Sequence, residues 1–172
     1  GNNSIVFVCD ETVRAAIEKV GIDYDIAREY DITGCYAAYI QDAVPICSTY
    51  LNIMKPLEYT ISGGYDAVTG NPVGLKTSTD FESYDAFYNC YLLQLKECLE
   101  SVTEIEYAMS EFTSYINPQS LLSGVTLSSI ENGIDILGGG ATRANTTVCC
   151  GGIANVCDSL AAIRELVFES KR

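Results

Sequence analysis

The stretch Ser83–Tyr115, SYDAFYNCYLLQLKECLESVTEIEYAMSEFTSY, decides the fold class of this chain. Phe87, Tyr91, Leu95, Cys98, Leu99, Val102, Ile105 and Met109 recur at intervals of three and four residues. That interval is the repeat of one helix face. The spacing predicts a helix from Ser83 to Tyr115 with this stripe in the core. Glu97, Glu100, Glu104, Glu106 and Glu111 form its solvated side.

The segments on either side are shorter and mostly helical. Asp10 is placed to cap a helix over 11–20 that stops at Gly21, and Asp23 to cap a second one through Tyr30. Residues 51–61 read as a helix interrupted at Pro56. Pro118 opens a further helix through Glu131, ended by Asn132-Gly133. A last helix is expected over 153–169. Strand-like runs are few: Ser4–Val8, and Ile32–Tyr39 around Gly34-Cys35. Residues 63–72 (GGYDAVTGNP) are dense in turn residues and are the best hinge candidate. The expected class is α/β, helix-rich, in a single domain over residues 1–172, with two or three short strands that cannot close a barrel.

Bulk composition narrows the function. A hydrophobic fraction of 48% over 172 residues supports a folded core. The net charge of −13 disfavours nucleic acid and anionic membrane surfaces as partners. No apolar run is long enough to span a bilayer, and the first residues lack the pattern of a signal peptide. A cytoplasmic, reducing or anaerobic setting is therefore expected. There is no histidine, so neither a Ser-His-Asp triad nor a Cys-His pair can be built from these residues. No phosphate-binding glycine motif occurs.

Cysteine is abundant: Cys9, Cys35, Cys47, Cys90, Cys98, Cys149, Cys150 and Cys157. No Cys-x-x-Cys pair is present, so a zinc site would need dispersed thiolates such as Cys149, Cys150 and Cys157. Free thiols acting partly as small core residues are the simpler expectation, with no metal bound.

Three ordered motifs carry a family resemblance. Asp25-Ile26-Ala27-Arg28-Glu29-Tyr30 leads to Gly34-Cys35, similar to a D-A-R-x-Y-x-x-x-G-C segment. Lys55-Pro56-Leu57-Glu58 is followed by Gly64-Tyr65-Asp66 and Thr69-Gly70, similar to K-P-L-E…G-x-D…T-G. Gly139-Gly140-Ala141 precedes the run from Gly152 to Ile163, GIANVCDSLAAI, similar to G-G-A…G-x-A-N-x-A-D-S-L-A-A-I. Together they resemble an internal segment of glycyl radical enzymes of the pyruvate formate-lyase and glycerol dehydratase type.

The resemblance implies a part of a ten-stranded α/β barrel, and a small-molecule substrate. It implies Cys35 as the catalytic position that becomes a thiyl radical. That radical derives from a glycyl radical installed by an iron–sulfur activase that uses S-adenosylmethionine. Gly34 leaves the backbone free to turn tightly before that thiol. The reaction implied is that of a radical lyase, formate acetyltransferase or dehydratase. The R-V-x-G motif of the glycyl radical domain is absent from these 172 residues. The chain is therefore expected to be inactive alone and to self-associate or pair with a complementing chain. A non-catalytic remnant acting as a binding module is the alternative.

The sequence also departs from the pattern. Many dehydratase and decarboxylase members read Gly-Cys-x-Glu, whereas this chain reads Gly34-Cys35-Tyr36-Ala37. The acidic residue usual before K-P-L-E is replaced near Cys47, and no tyrosine follows Gly139-Gly140-Ala141. Titratable groups near Cys35 reduce to Tyr36, Tyr39 and Asp42, which fits a carbon–carbon lyase better than a diol dehydratase.

Overall fold

The computed structural model describes residues 7–33 and 37–170. The order is α1 (Asp10–Lys19), α2 (Tyr24–Ala27), β1 (Asp31–Thr33), β2 (Ala37–Tyr39), β3 (Ala43–Asn52), α3 (Met54–Ser62), α4 (Tyr84–Ile116), α5 (Ser120–Ser123), α6 (Leu127–Asn132), β4 (Arg143–Gly151) and α7 (Ile153–Ile163). A 3-10 turn at Ile136–Gly138 precedes β4, and a π-helical stretch, Arg164–Glu169, follows α7. The class is helix-rich α/β. Strands β1 and β2 form one two-stranded sheet and β3 and β4 another, so no closed sheet exists among the described residues.

The β1–β2 pair is antiparallel, with Asp31 opposite Tyr39, Ile32 opposite Ala38 and Thr33 opposite Ala37. The β3–β4 pair is parallel. Asp42 O accepts from Arg143 N at its start and Gly151 O accepts from Ile53 N at its end. Parallel strands need a long crossover, and the chain from α3 to α6 supplies it.

The chain divides into two compact units. The unit of residues 47–112 and 146–172 holds an apolar cluster of Ile53, Leu57, Phe87, Tyr91 and Val156. Leu160 and Phe168, from α7 and the π-helical stretch, pack against that cluster. The unit of residues 1–46 and 113–145 buries Ala27, Val44 and Ile136. There the Asp135 carboxylate accepts from Gln119 N (2.8 Å), Ser123 Oγ (3.0 Å) and Leu137 N (3.0 Å), fixing the turn before β4.

Several sequence expectations need correction. The helix of residues 51–61 starts at Met54 and is not interrupted by Pro56. Proline is tolerated in a first turn, where its missing N–H has no partner to lose. The residues before it, Ala43–Asn52, are a ten-residue strand that the sequence reading passed over. Strand β4, between Asn132-Gly133 and the last helix, was likewise not expected. Both lack a clean two-residue alternation. The helix expected from Pro118 to Glu131 breaks into α5 and α6 around Gly124. Asp10 is the first residue of α1, and Cys9 occupies the capping position instead. Helix α2 ends at Ala27, short of Tyr30. Of the expected strand Ser4–Val8, residues 4–6 lie outside the described residues, and Phe7 is irregular and 92% exposed. The stripe on α4 is core only in its first half. Phe87, Cys90, Tyr91 and Gln94 are buried, but Ile105 and Met109 are exposed.

Candidate functional site

Cys35 and Tyr36 lie outside the described residues. Their flanks are described. Asp23 caps α2 by accepting from Asp25 N (3.2 Å), and Ala27 of the D-I-A-R-E-Y run is fully buried. The short helix delivers the chain to β1, and pairing of β1 with β2 brackets residues 34–36 between Thr33 and Ala37. The backbone that leads into and out of the Gly34-Cys35 step is thus held by a three-pair ladder.

Two of the titratable groups singled out near Cys35 are described. Tyr39 is half-buried, and burial raises its hydroxyl above the usual phenol range. Asp42 sits in the left-handed region at φ 56°, which aspartate tolerates better than most side chains. Tyr30, the tyrosine of the first motif, donates its hydroxyl to Asp10 Oδ1. That bond holds its pKa above the usual range.

The second motif becomes a charged anchor. The first turn of α3 presents Lys55, whose Nζ donates to Glu58 Oε1 (3.0 Å), Glu58 Oε2 (3.1 Å) and Asp66 Oδ1. Glu58 Oε1 also accepts from Ala67 N (2.7 Å). Asp66 Oδ2 accepts from Thr69 N (3.0 Å) and Thr69 Oγ1 (2.7 Å). Lys55, Glu58, Asp66 and Thr69 of the motif therefore hold the turn-rich segment against α3. The Lys55 ammonium, then the Thr69 donors, keep the Asp66 carboxyl well below the usual carboxylate range. Asp66 and Glu58 in turn raise the Lys55 ammonium. The segment read as a hinge is tied down by these bonds.

Gln94 reinforces the same segment. It is fully buried on α4, accepts from Leu75 N through Oε1 (2.9 Å) and donates Nε2 to Leu75 O (2.7 Å). The amide acts as a two-point clamp on an otherwise irregular backbone. Gly64, at φ 99°, lets that backbone approach closely, since a Cβ there would stand 2.4 Å from Leu75 O. The sequence did contain a signal for Gln94: it shares the helical face of Phe87, Tyr91 and Cys98. A polar residue on a core face asks what backbone it satisfies.

The third motif forms the join from β4 to α7. Gly152 takes φ 88° as the residue before α7, and Val156 enters the apolar cluster. Cys149 is half-buried, and Cys150 and Cys157 are exposed free thiols. Among the described residues no group of three or more Cys, Asp or Glu side chains is arranged to hold a metal ion. No described helix is long and apolar enough to cross a membrane.

Comparison with known proteins agrees with the three motifs. The chain is 32% identical over 145 residues to trans-4-hydroxy-L-proline dehydratase of Clostridioides difficile, covering 81% of this chain and 18% of that protein. It is 26% identical over 173 residues to isethionate sulfite-lyase of Oleidesulfovibrio alaskensis, covering 95% of this chain and 20% of that one. A solved structure concerned with 1,2-propanediol dehydration in Roseburia inulinivorans superposes with a TM-score of 0.86 at 31% identity. That match covers 95% of this chain and 21% of the solved one. The chain thus spans about a fifth of the length of the relatives it matches. The family described as "Pyruvate formate lyase-like" matches residues 1–172, and the chain, a segment on the scale of its relatives, belongs to that family of glycyl radical enzymes.

Proposed function

We propose that this chain is the part of a glycyl radical enzyme's catalytic body that carries the thiyl-forming cysteine, Cys35. The family match over all 172 residues carries the reading, because the G-C step of the first motif then falls on Gly34-Cys35. The β1–β2 ladder on either side supports it, since a reacting thiol needs a backbone held in one place. In this reading the 172 residues form one domain, part of a ten-stranded barrel, and the glycyl radical domain lies outside them.

The chemistry asked of Cys35 is transfer of a single hydrogen atom. A substrate C–H bond breaks as a sulfur–hydrogen bond forms, and the reverse transfer ends the cycle. The radical that starts the exchange is supplied from a glycyl radical made by an iron–sulfur activase. The substrate is a small organic molecule. The names of the relatives point to dehydratases and lyases as the reaction class. Ala37 offers no carboxylate, and the proton-transfer groups left are Tyr36, Tyr39 and Asp42. This favours lysis of a carbon–carbon bond over loss of water from a diol. The same alanine supports a second reading, a non-catalytic remnant that binds a related chain.

The test uses the longer polypeptide, or this chain with a complementing one, activated under anaerobic conditions. Cys35→Ser and Cys35→Ala are expected to abolish turnover, while Cys149→Ala, Cys150→Ala and Cys157→Ala retain it. Turnover in Cys35→Ala would overturn the assignment. A wild-type protein that carries the radical yet turns over no substrate supports the remnant reading.

A further inference from the structure

The bond that closes α6 sits on a chemically labile pair. Among the asparagines of the chain, Asn132 alone is followed by glycine. Glycine has no side chain to shield its amide and its backbone turns freely, so an Asn-Gly pair is where a backbone nitrogen most readily reaches the preceding side-chain amide. Asn132 is the last residue of α6, and both it and Gly133 are exposed.

The fold keeps that nitrogen engaged. Gly133 adopts φ 64° and ψ 29°, and its N–H donates to Ser129 O. Ile134 N donates to the same oxygen at 3.3 Å. Gly140 presses on this corner, since a Cβ there would stand 2.2 Å from Ile134 O and 2.9 Å from Asp135 O. Gly140 N also donates to Asp135 O at 2.9 Å. The Asp135 carboxylate ties the corner to Gln119 and Ser123. All of these residues belong to one compact unit, that of residues 1–46 and 113–145. The attacking amide is thus hydrogen-bonded, and the helical backbone of Asn132 must turn before side chain and nitrogen can meet.

We propose that Asn132 is a deamidation site gated by the α6 cap, and that its isoaspartate product cannot rebuild that cap. When the last turn opens, Gly133 N attacks Asn132 Cγ. A carbon–nitrogen bond forms, the Cγ–Nδ2 bond breaks, and Nδ2 takes up the proton of the Gly133 N–H and leaves as ammonia. Water then opens the cyclic imide at either carbonyl and gives aspartate or isoaspartate, with no oxidation or reduction. Isoaspartate routes the main chain through its side-chain carbon and lengthens it by one methylene, so the Gly133 N–H no longer falls on Ser129 O. Aspartate keeps the backbone and adds only a carboxylate at the carbonyl end of the helix. The lesion loosens the corner that leads through Gly140 to β4. This inference stands independently of the role given to Cys35.

The test ages the 172-residue chain at mildly alkaline pH, folded and in denaturing urea. Mass spectrometry reads deamidation at each asparagine, and isoaspartyl methyltransferase labelling reads isoaspartate. In denaturing urea Asn132 is expected to react ahead of every other asparagine. In the folded chain its rate should fall at least about tenfold, because only the open fraction reacts. Below the unfolding midpoint the rate should rise with urea less steeply than global unfolding does, since a local opening exposes less surface. Gly140→Ala, which crowds the corner, should speed the reaction of the folded chain several-fold and leave the rate in denaturing urea unchanged. Asp135→Asn, a milder loosening, should act in the same direction where Gly140→Ala does not fold. The isoaspartate fraction purified from the aged chain should unfold at lower urea than both wild type and Asn132→Asp. Equal rates in folded and unfolded chains, another asparagine reacting faster in the folded chain, a urea slope equal to that of global unfolding, no acceleration in either variant, or an isoaspartate fraction as stable as wild type would each overturn the proposal.

Discussion

Replacing Gln94 tests whether buried amide chemistry, and not apolar packing alone, holds the turn-rich segment in place. The side chain is fully buried, and its two polar ends meet Leu75 N–H and Leu75 C=O at 2.9 and 2.7 Å. Gln94→Leu keeps most of the volume and gains a better core residue, but leaves both backbone groups of Leu75 without a partner. Each of the two backbone groups left unpaired costs about 1–3 kcal/mol, centred on about 4 kcal/mol for the pair. Leucine recovers about 1–2 kcal/mol of transfer free energy. The net expectation is a loss of about 2–4 kcal/mol, read by urea unfolding of the 172-residue chain followed at 222 nm.

Gln94→Glu adds a pH signature to the same measurement. A carboxylate can accept from Leu75 N–H but repels Leu75 C=O, and burial disfavours its charge, so its folded pKa lies above the unfolded value of about 4.3. The folded state then binds more protons than the unfolded one. Stability is highest below about pH 4.3 and falls as pH rises through the folded pKa. The protonated carboxyl can donate to Leu75 O as the amide did. If Gln94→Leu lies within about 0.5 kcal/mol of wild type, or if Gln94→Glu shows no added pH dependence over wild type, the clamp is not what holds the segment.

Further outcomes follow from the same region. Gly64→Ala should lower the unfolding midpoint in urea sharply, by a few kcal/mol, because φ 99° strains alanine and its Cβ would meet Leu75 O at 2.4 Å. Gly70→Ala, where nothing lies within 4 Å but φ is 70°, should cost less in the same assay. Asp66→Asn should flatten the acid limb of stability. The folded pKa of Asp66 is depressed, so its contribution is full above about pH 4 and is lost as pH falls below that value. Acid titrations of wild type and variant, monitored by circular dichroism, should converge at low pH. A variant as acid-sensitive as wild type contradicts the role given to the Lys55–Asp66 pair.

Periodicity alone determined the helices whose apolar positions repeat cleanly. Helix α4 runs over Tyr84–Ile116 where the spacing placed it over 83–115, and α7 with its π-helical continuation fills 153–169. The family, too, was legible in linear sequence, because three ordered motifs survive without any knowledge of contacts. What those motifs do was not legible. Nothing in K-P-L-E…G-x-D…T-G by itself says that Lys55 bridges Glu58 and Asp66, since that depends on the turn bringing Asp66 back over the first turn of α3. Strands β3 and β4 were also beyond the reach of local pattern. Their hydrogen bonds come from partners about a hundred residues apart, and a strand without clean alternation carries no local mark of its pairing. Tertiary structure likewise decided how far the α4 stripe is core. Periodicity shows which residues share a face, but only the position of the neighbouring elements shows where that face stops being covered, here beyond Val102.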